Sequence, residues 1–219
     1  MKKIILLFIF LVSFSLFSQQ KKASEKLMLE IQQIHQNDKT MKMVWWIPTE
    51  FWQVVIEENN LGSQEQIDYI KNLLDDYMIL LGGDYSFNSA NDGAEFKVNN
   101  VKNTFVFYGI DGKKQTPLKD SEINQEVLRL IKNSLKPIFV QMLGKTGDGI
   151  EFFIYNNKKN KERIINPMSR GNFKVDIANE SFVWKLPLVS LMEEKICPVD
   201  QQKMEGNWIF CPFHGEKLQ

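Results

Sequence analysis

The stretch QEQIDYIKNLLDDYMILLGG, residues 64–83, decides the fold class, because its apolar period changes partway through. Ile67, Ile70, Leu73 and Leu74 recur at spacings of three and four, the stripe of an amphipathic helix. Ser63, with Gln66 three residues on, is a capping-box start for that helix. Tyr77 to Leu81 is then an unbroken apolar run ending in Gly82-Gly83, short enough for a buried strand.

Upstream, Leu27, Ile31 and Ile34 predict a helix from Ser24 to about Asn37-Asp38. Met43 to Ile47 reads as a short strand stopped by Pro48. Thr49 is then expected to cap a helix with Trp52, Val55 and Ile56 on one face. Downstream, Asn91-Asp92-Gly93 is turn chemistry. Glu95 to Val98 and Thr104 to Tyr108 read as strands joined by a polar hairpin loop, Asn99 to Asn103. Asp120 or Ser121 opens the longest helix, with Ile123, Val127, Leu130, Ile131, Ser134, Leu135 and Ile138 on one face and a kink at Pro137. Ile150 to Tyr155, Phe173 to Ile177 and Phe182 to Trp184 read as further strands. Helices and hairpin-like strands come in blocks rather than in β-α-β alternation, which predicts an α+β fold with a largely antiparallel sheet.

The chain opens with MKKIILLFIFLVSFSLFSQQ, in which Lys2 and Lys3 precede an apolar run from Ile4 to Phe17. That order predicts a bacterial-type signal peptide over residues 1–18, cleaved near Ser18. The run is shorter than the roughly 20 residues that span a bilayer, and no later stretch predicts a transmembrane segment. The expected product is exported, periplasmic or extracellular, with one globular domain over residues 19–195 and a small hairpin over 196–219. The 27 basic and 27 acidic residues balance, and loss of Lys2 and Lys3 leaves a net charge near −2. This excludes nucleic acid as an expected partner.

Cys197 and Cys211 are the only cysteines, and each begins a matched segment. Cys197-Pro198-Val199-Asp200 is followed four residues later by Met204, and Cys211-Pro212-Phe213-His214 by Leu218. The pair resembles the two knuckles of zinc-ribbon domains, with Asp200 and His214 in place of the second cysteines. Gly215 is kept, and Gln201 stands where glycine is usual. The resemblance covers about 22 residues and implies a closed structural zinc site built from Cys197, Asp200, Cys211 and His214. The bland alternative is a ribbon without metal, closed by a Cys197–Cys211 disulfide whose loop of about 15 residues would contribute roughly 3 kcal/mol. Free thiols are the third alternative. In each case the role is structural.

Other signals are weaker. Gly144-Lys145-Thr146 has Phe139 where a phosphate-binding loop needs its first glycine. Asp84, Asn88, Asn91 and Asp92 are oxygen-rich, but their spacing matches no EF-hand. Lys158, Lys159, Lys161 and Arg163 form a basic loop, open to solvent or to an anionic partner. Trp45, Trp46 and Trp52 are core aromatics or, if one face is bare, a contact surface for a protein or glycan partner. His35 and His214 lack a nucleophile motif around them. The leading expectation is a non-enzymatic binding or assembly module with no cofactor or one structural zinc. The alternative is a hydrolase of envelope or extracellular polymers that uses carboxylates such as Asp75-Asp76 or Glu193-Glu194.

Overall fold

The computed structural model describes residues 22–60, 62–90 and 93–219. The expected signal peptide and the turn residues Asn91 and Asp92 lie outside them. The fold is α+β, and its paired strands are all antiparallel.

Helix α1 (Ala23–Ile31) passes directly into β1 (Gln32–Gln36), which pairs with β2 (Thr40–Ile47). The helix therefore ends earlier than its apolar spacing suggested. Asn37 explains the switch: its Oδ1 accepts the amides of Lys39 and Thr40 at 2.8 and 2.9 Å, closing a hairpin that places Ile34 opposite Met43. Helix α2 (Thr49–Asn59) starts after Pro48, and Thr49 is its first residue rather than its cap. Helix α3 (Gln64–Leu74) carries the expected capping box and buries Ile67 and Leu74.

Strand β3 (Tyr77–Ala90) runs straight through Gly82-Gly83 instead of stopping there. A Cβ on Gly82 would lie 2.6 Å from the Phe105 ring, so this glycine serves close approach of two sheets rather than a turn. One edge of β3 pairs with all of β2. The other is shared end to end by β4 (Gly93–Val98) and β7 (Glu151–Asn156). The second sheet, in the order β11-β10-β5-β6, comprises Glu180–Leu186, Gly171–Ile177, Phe105–Tyr108 and Lys114–Gln115. Strands β4 and β5 thus belong to different sheets. Asn99 to Thr104 is a crossing with Val101 buried, not the expected hairpin loop.

The sheets meet through aromatic rings. Phe105 stacks on Phe153 with centroids 3.8 Å apart, Phe107 meets Tyr155 at 4.7 Å, and Trp46 stands edge-on to Phe173 at 4.9 Å. Trp45 points the opposite way along β2, onto Phe139 at 5.2 Å. Phe139 belongs to α5 (Lys136–Leu143), which follows α4 (Gln125–Leu130) and a π-helical segment, Ile131–Leu135. Asn124, not Asp120 or Ser121, caps α4. The π segment changes the buried face: Ile123, Val127, Ile131, Leu135 and Phe139 recur every four residues, and Ile138 is exposed. Pro137 supplies the cause, since it has no amide to continue the α-helical ladder.

Both faces of β2 are therefore covered. Trp45 and Trp46 are 4% and 2% exposed, and Trp52 is half-buried against the same core. The expectation that this segment forms a contact surface is corrected: its alternation sends one tryptophan toward α5 and the other toward the second sheet.

Strands β8 (Lys158–Lys159) and β9 (Glu162–Arg163) form a two-stranded hairpin in the basic segment. Arg163 grips Glu50 with two hydrogen bonds and lies 3.1 Å from Asp75; Lys158 reaches Asp76 at 2.7 Å and Asp75 at 3.0 Å. Two of the loop's four cations are thus spent on the chain's own acids.

Candidate metal centre

The last segment has its own small apolar cluster of Cys197, Met204, Cys211 and Leu218, with Trp208 against it. Strands β12 (Lys195–Ile196) and β13 (Lys203–Met204) bracket the first turn. A single bridge, Phe210 to Lys217, brackets the second. The Gln219 backbone exchanges two hydrogen bonds with Ile196, of 2.8 and 3.0 Å, which ties the end of the second turn beside the first.

The two turns are the same object built twice. In the first, the Gln201 amide donates to the Cys197 carbonyl at 2.9 Å, and the Cys197 amide to the Gln202 carbonyl at 2.9 Å. In the second, Gly215 donates to the Cys211 carbonyl at 2.8 Å, and Cys211 to that of Glu216 at 2.7 Å. Gln201 and Gly215 sit at φ +61° and +71°, so glutamine takes the left-handed conformation where its counterpart is glycine. The backbone amides of Val199 and Asp200 lower the Cys197 thiol, and those of Phe213 and His214 lower the Cys211 thiol. Backbone dipoles thus converge on both sulfurs and favour negative charge there.

The donor atoms of Cys197, Cys211 and His214 lie within 4.8 Å of one another. His214 Nδ1 is 3.4 Å from the Cys197 sulfur and 3.5 Å from that of Cys211. A tetrahedral zinc with bonds of about 2.3 Å to sulfur and about 2.0 Å to nitrogen would separate those donors by about 3.5 Å. The three residues are close enough to bind one metal ion. Asp200 stands beside them with its Oδ2 3.8 Å from His214 Nδ1, but outside the group of mutually close donors. Its Oδ1 accepts the Gln202 amide at 3.0 Å. That Asx turn went unread in the sequence, although an aspartate followed by a polar loop is its usual signal.

The electrostatics separate the two thiols. Burial pushes Cys197 up, and its two amide donors do not offset this. Burial also raises Cys211, but the Phe213 and His214 amides, with Cys197 and His214 beside it, outweigh burial and hold it below the usual thiol value. The Gln202 amide, opposed by burial and helped by Cys197 and His214, holds the Asp200 carboxyl low. Both cysteines are free thiols in this structure.

The remaining candidates have other partners. His35 stacks on Phe182 at 4.2 Å and lies 3.1 Å from Glu180, at the seam between the sheets. Glu194 is held by Lys203 at 3.0 Å and Lys26 at 3.3 Å, which keeps its carboxyl low. Asp84 is buried and accepts from Asn99, at the junction where β4 and β7 meet β3. Among the described residues, no helix is long and apolar enough to cross a membrane.

Compared with protein-family models, curated proteins and solved structures, the chain matches none of them.

Proposed function

We propose that the chain is an exported, non-enzymatic binding or assembly module whose C-terminal knuckle pair is fastened by one structural zinc ion. The observation that carries the metal reading is the convergence of Cys197, Cys211 and His214 at tetrahedral donor spacing. Two matching turns support it, since their backbone amides favour the thiolate at each sulfur and, at Cys211, outweigh burial. Zinc suits the donor set, since it accepts thiolate and imidazole together and does no redox chemistry of its own. Bound there, the ion would cross-link two turns that share only a handful of buried side chains.

The binding reading is supported by where exposed apolar residues fall. Val199 and Phe213 occupy the same tip position of the two knuckles, and Phe213 is 73% exposed. Ile209 and Phe210 are exposed between the knuckles. The hydrolase reading gains nothing comparable. It needs a carboxyl held protonated near neutral pH, whereas Asp75, Asp76 and Glu194 are each ion-paired.

Intact mass of the exported protein, native and denatured, with and without reductant and chelator, tests the proposal. One zinc per chain, removed by chelator to leave two free thiols, is the expected result. A gain of two hydrogens on reduction with no metal adduct would establish the disulfide and end the metal reading. A chain that still begins at Met1 would overturn export.

A further inference from the structure

We infer that the fourth coordination position of this centre is open to solvent, is filled by an exchangeable neutral ligand carrying an N–H or O–H, and is gated by Asp200 as a hydrogen-bond acceptor rather than closed by Asp200 as a ligand. The inference rests on the metal reading above and concerns how that site is completed.

Three observations carry it. First, the donor atoms of Cys197, Cys211 and His214 are mutually close, and the Asp200 carboxylate is not among them, although it holds the matching position in the first knuckle. Second, Asp200 is tied into its own turn: its Oδ1 accepts the Gln202 amide, which leaves Oδ2, 3.8 Å from His214 Nδ1, as the oxygen that faces the cluster. Third, exposure is one-sided. Both cysteines are buried, whereas the His214 and Asp200 side chains are 34% and 30% exposed. Solvent therefore reaches the cluster on the side of His214 and Asp200.

A zinc site with three protein ligands and an accessible fourth position holds water or an exchanging ligand, and a site with four protein ligands does not. The charge of the surroundings selects the ligand. Two thiolates already cancel the charge of a divalent metal, and the Asp200 carboxylate adds a negative charge beside the opening. An incoming anion gains no net attraction from the neutral metal–dithiolate unit and is repelled by Asp200. A neutral donor whose lone-pair atom also bears a hydrogen would bind the metal and donate a hydrogen bond to Oδ2 of Asp200. Water fits in the resting protein. An imidazole, including the histidine side chain of a second protein, fits as a neutral ligand that replaces it, with its N–H on the far side of the ring and not on Asp200. The step is ligand exchange only: one neutral donor leaves as another binds, with no change in oxidation state.

The test uses the full mature chain loaded with cobalt(II), whose visible absorption reports the coordination sphere, titrated with imidazole and separately with azide. Imidazole is expected to shift the cobalt bands saturably, and azide to leave them unchanged. The Asp200→Ala chain is expected to keep cobalt affinity within about tenfold, the range of an outer partner, and to respond to azide. Wild-type bands indifferent to imidazole, with a loss of cobalt affinity beyond about a hundredfold in Asp200→Ala, would make Asp200 the fourth ligand; that result overturns the inference while the metal reading stands. No cobalt binding by the wild-type chain would remove both.

Discussion

The body of the molecule and its last two dozen residues are stabilised in opposite ways. In the body, two sheets and a helix interlock through large rings, and single residues such as Trp46 and Trp184 are sealed from solvent. Each such side chain contributes about 1.5–3 kcal/mol by burial. In the tail, the buried cluster is two sulfurs, one methionine and one leucine, with Phe213, Phe210 and Ile209 left outside. A segment that small does not offset its ordering entropy by apolar burial and needs a cross-link, by metal or by disulfide. It is tied to the body where Lys203 reaches Glu194, itself paired with Lys26 of α1, and where Gly206 packs on Met192; the two regions flank a cleft of about 900 Å³. Large apolar volume suffices for one region; donor atoms in register decide the other.

The strongest way to break this contrast is to damage the body and watch the tail. Trp46→Ala removes a ring that meets Phe173 across the sheets, and it should lower body stability by about 3–5 kcal/mol in denaturant melts. Hydrogen exchange at the Cys197 and Gly215 amides, both bonded inside the tail, should stay at its wild-type rate. If those amides lose protection together with β2, the tail and the body are one cooperative unit and the contrast fails.

A smaller effect sharpens the description of the body's edge. Glu180 accepts from Lys42 at 2.6 Å and faces His35. The Lys42 hydrogen bond, opposed by burial and helped by His35, holds the Glu180 carboxyl below its ordinary value of 4.5. A carboxyl lower in the folded than in the unfolded chain contributes stability above the unfolded value, and this is lost as pH falls through the folded one. Glu180→Gln should therefore cost about 1 kcal/mol at pH 7 and progressively less below pH 4.5. The pH dependence of the melting temperature checks this; an equal loss at pH 7 and pH 3 would mean that packing on β11, not charge, is what the substitution removes.

What could be read in advance follows the same division. Elements set by local chemistry were legible: the Ser63–Gln66 capping box, the α3 stripe, and the alternation of β10 and β11. Features set by distant contacts were not. Gly82 reads as a stop in sequence, yet it admits Phe105 from another sheet. Trp45 and Trp46 alternate like a strand with one wet face, and only the packing of α5 and the second sheet shows both faces covered. In the tail, matched spacing pointed to Cys197, Cys211 and His214, because a knuckle is local. The same spacing named Asp200, but not that the Gln202 amide takes its Oδ1 and turns Oδ2 toward His214 at 3.8 Å.

The least effect, and the sharpest comparison, lies between the two knuckles themselves. They share hydrogen bonds, amide donors and tip positions, and differ at the residue with positive φ: Gln201 in one, Gly215 in the other. A side chain in the left-handed conformation costs about 1 kcal/mol. Replacing it by glycine recovers that cost but loosens the unfolded chain by about 0.5 kcal/mol. Gln201→Gly should therefore stabilise the folded tail by about 0.5 kcal/mol, which competition with a chelator would read as roughly a twofold gain in zinc affinity. Gly215→Ala should do the reverse in the second knuckle, where His214 is the proposed ligand. If Gln201→Gly instead weakens metal binding, the Gln201 side chain does more than tolerate its turn; its Nε2 lies 3.4 Å from the Pro198 carbonyl, and that contact would then be holding the first knuckle closed.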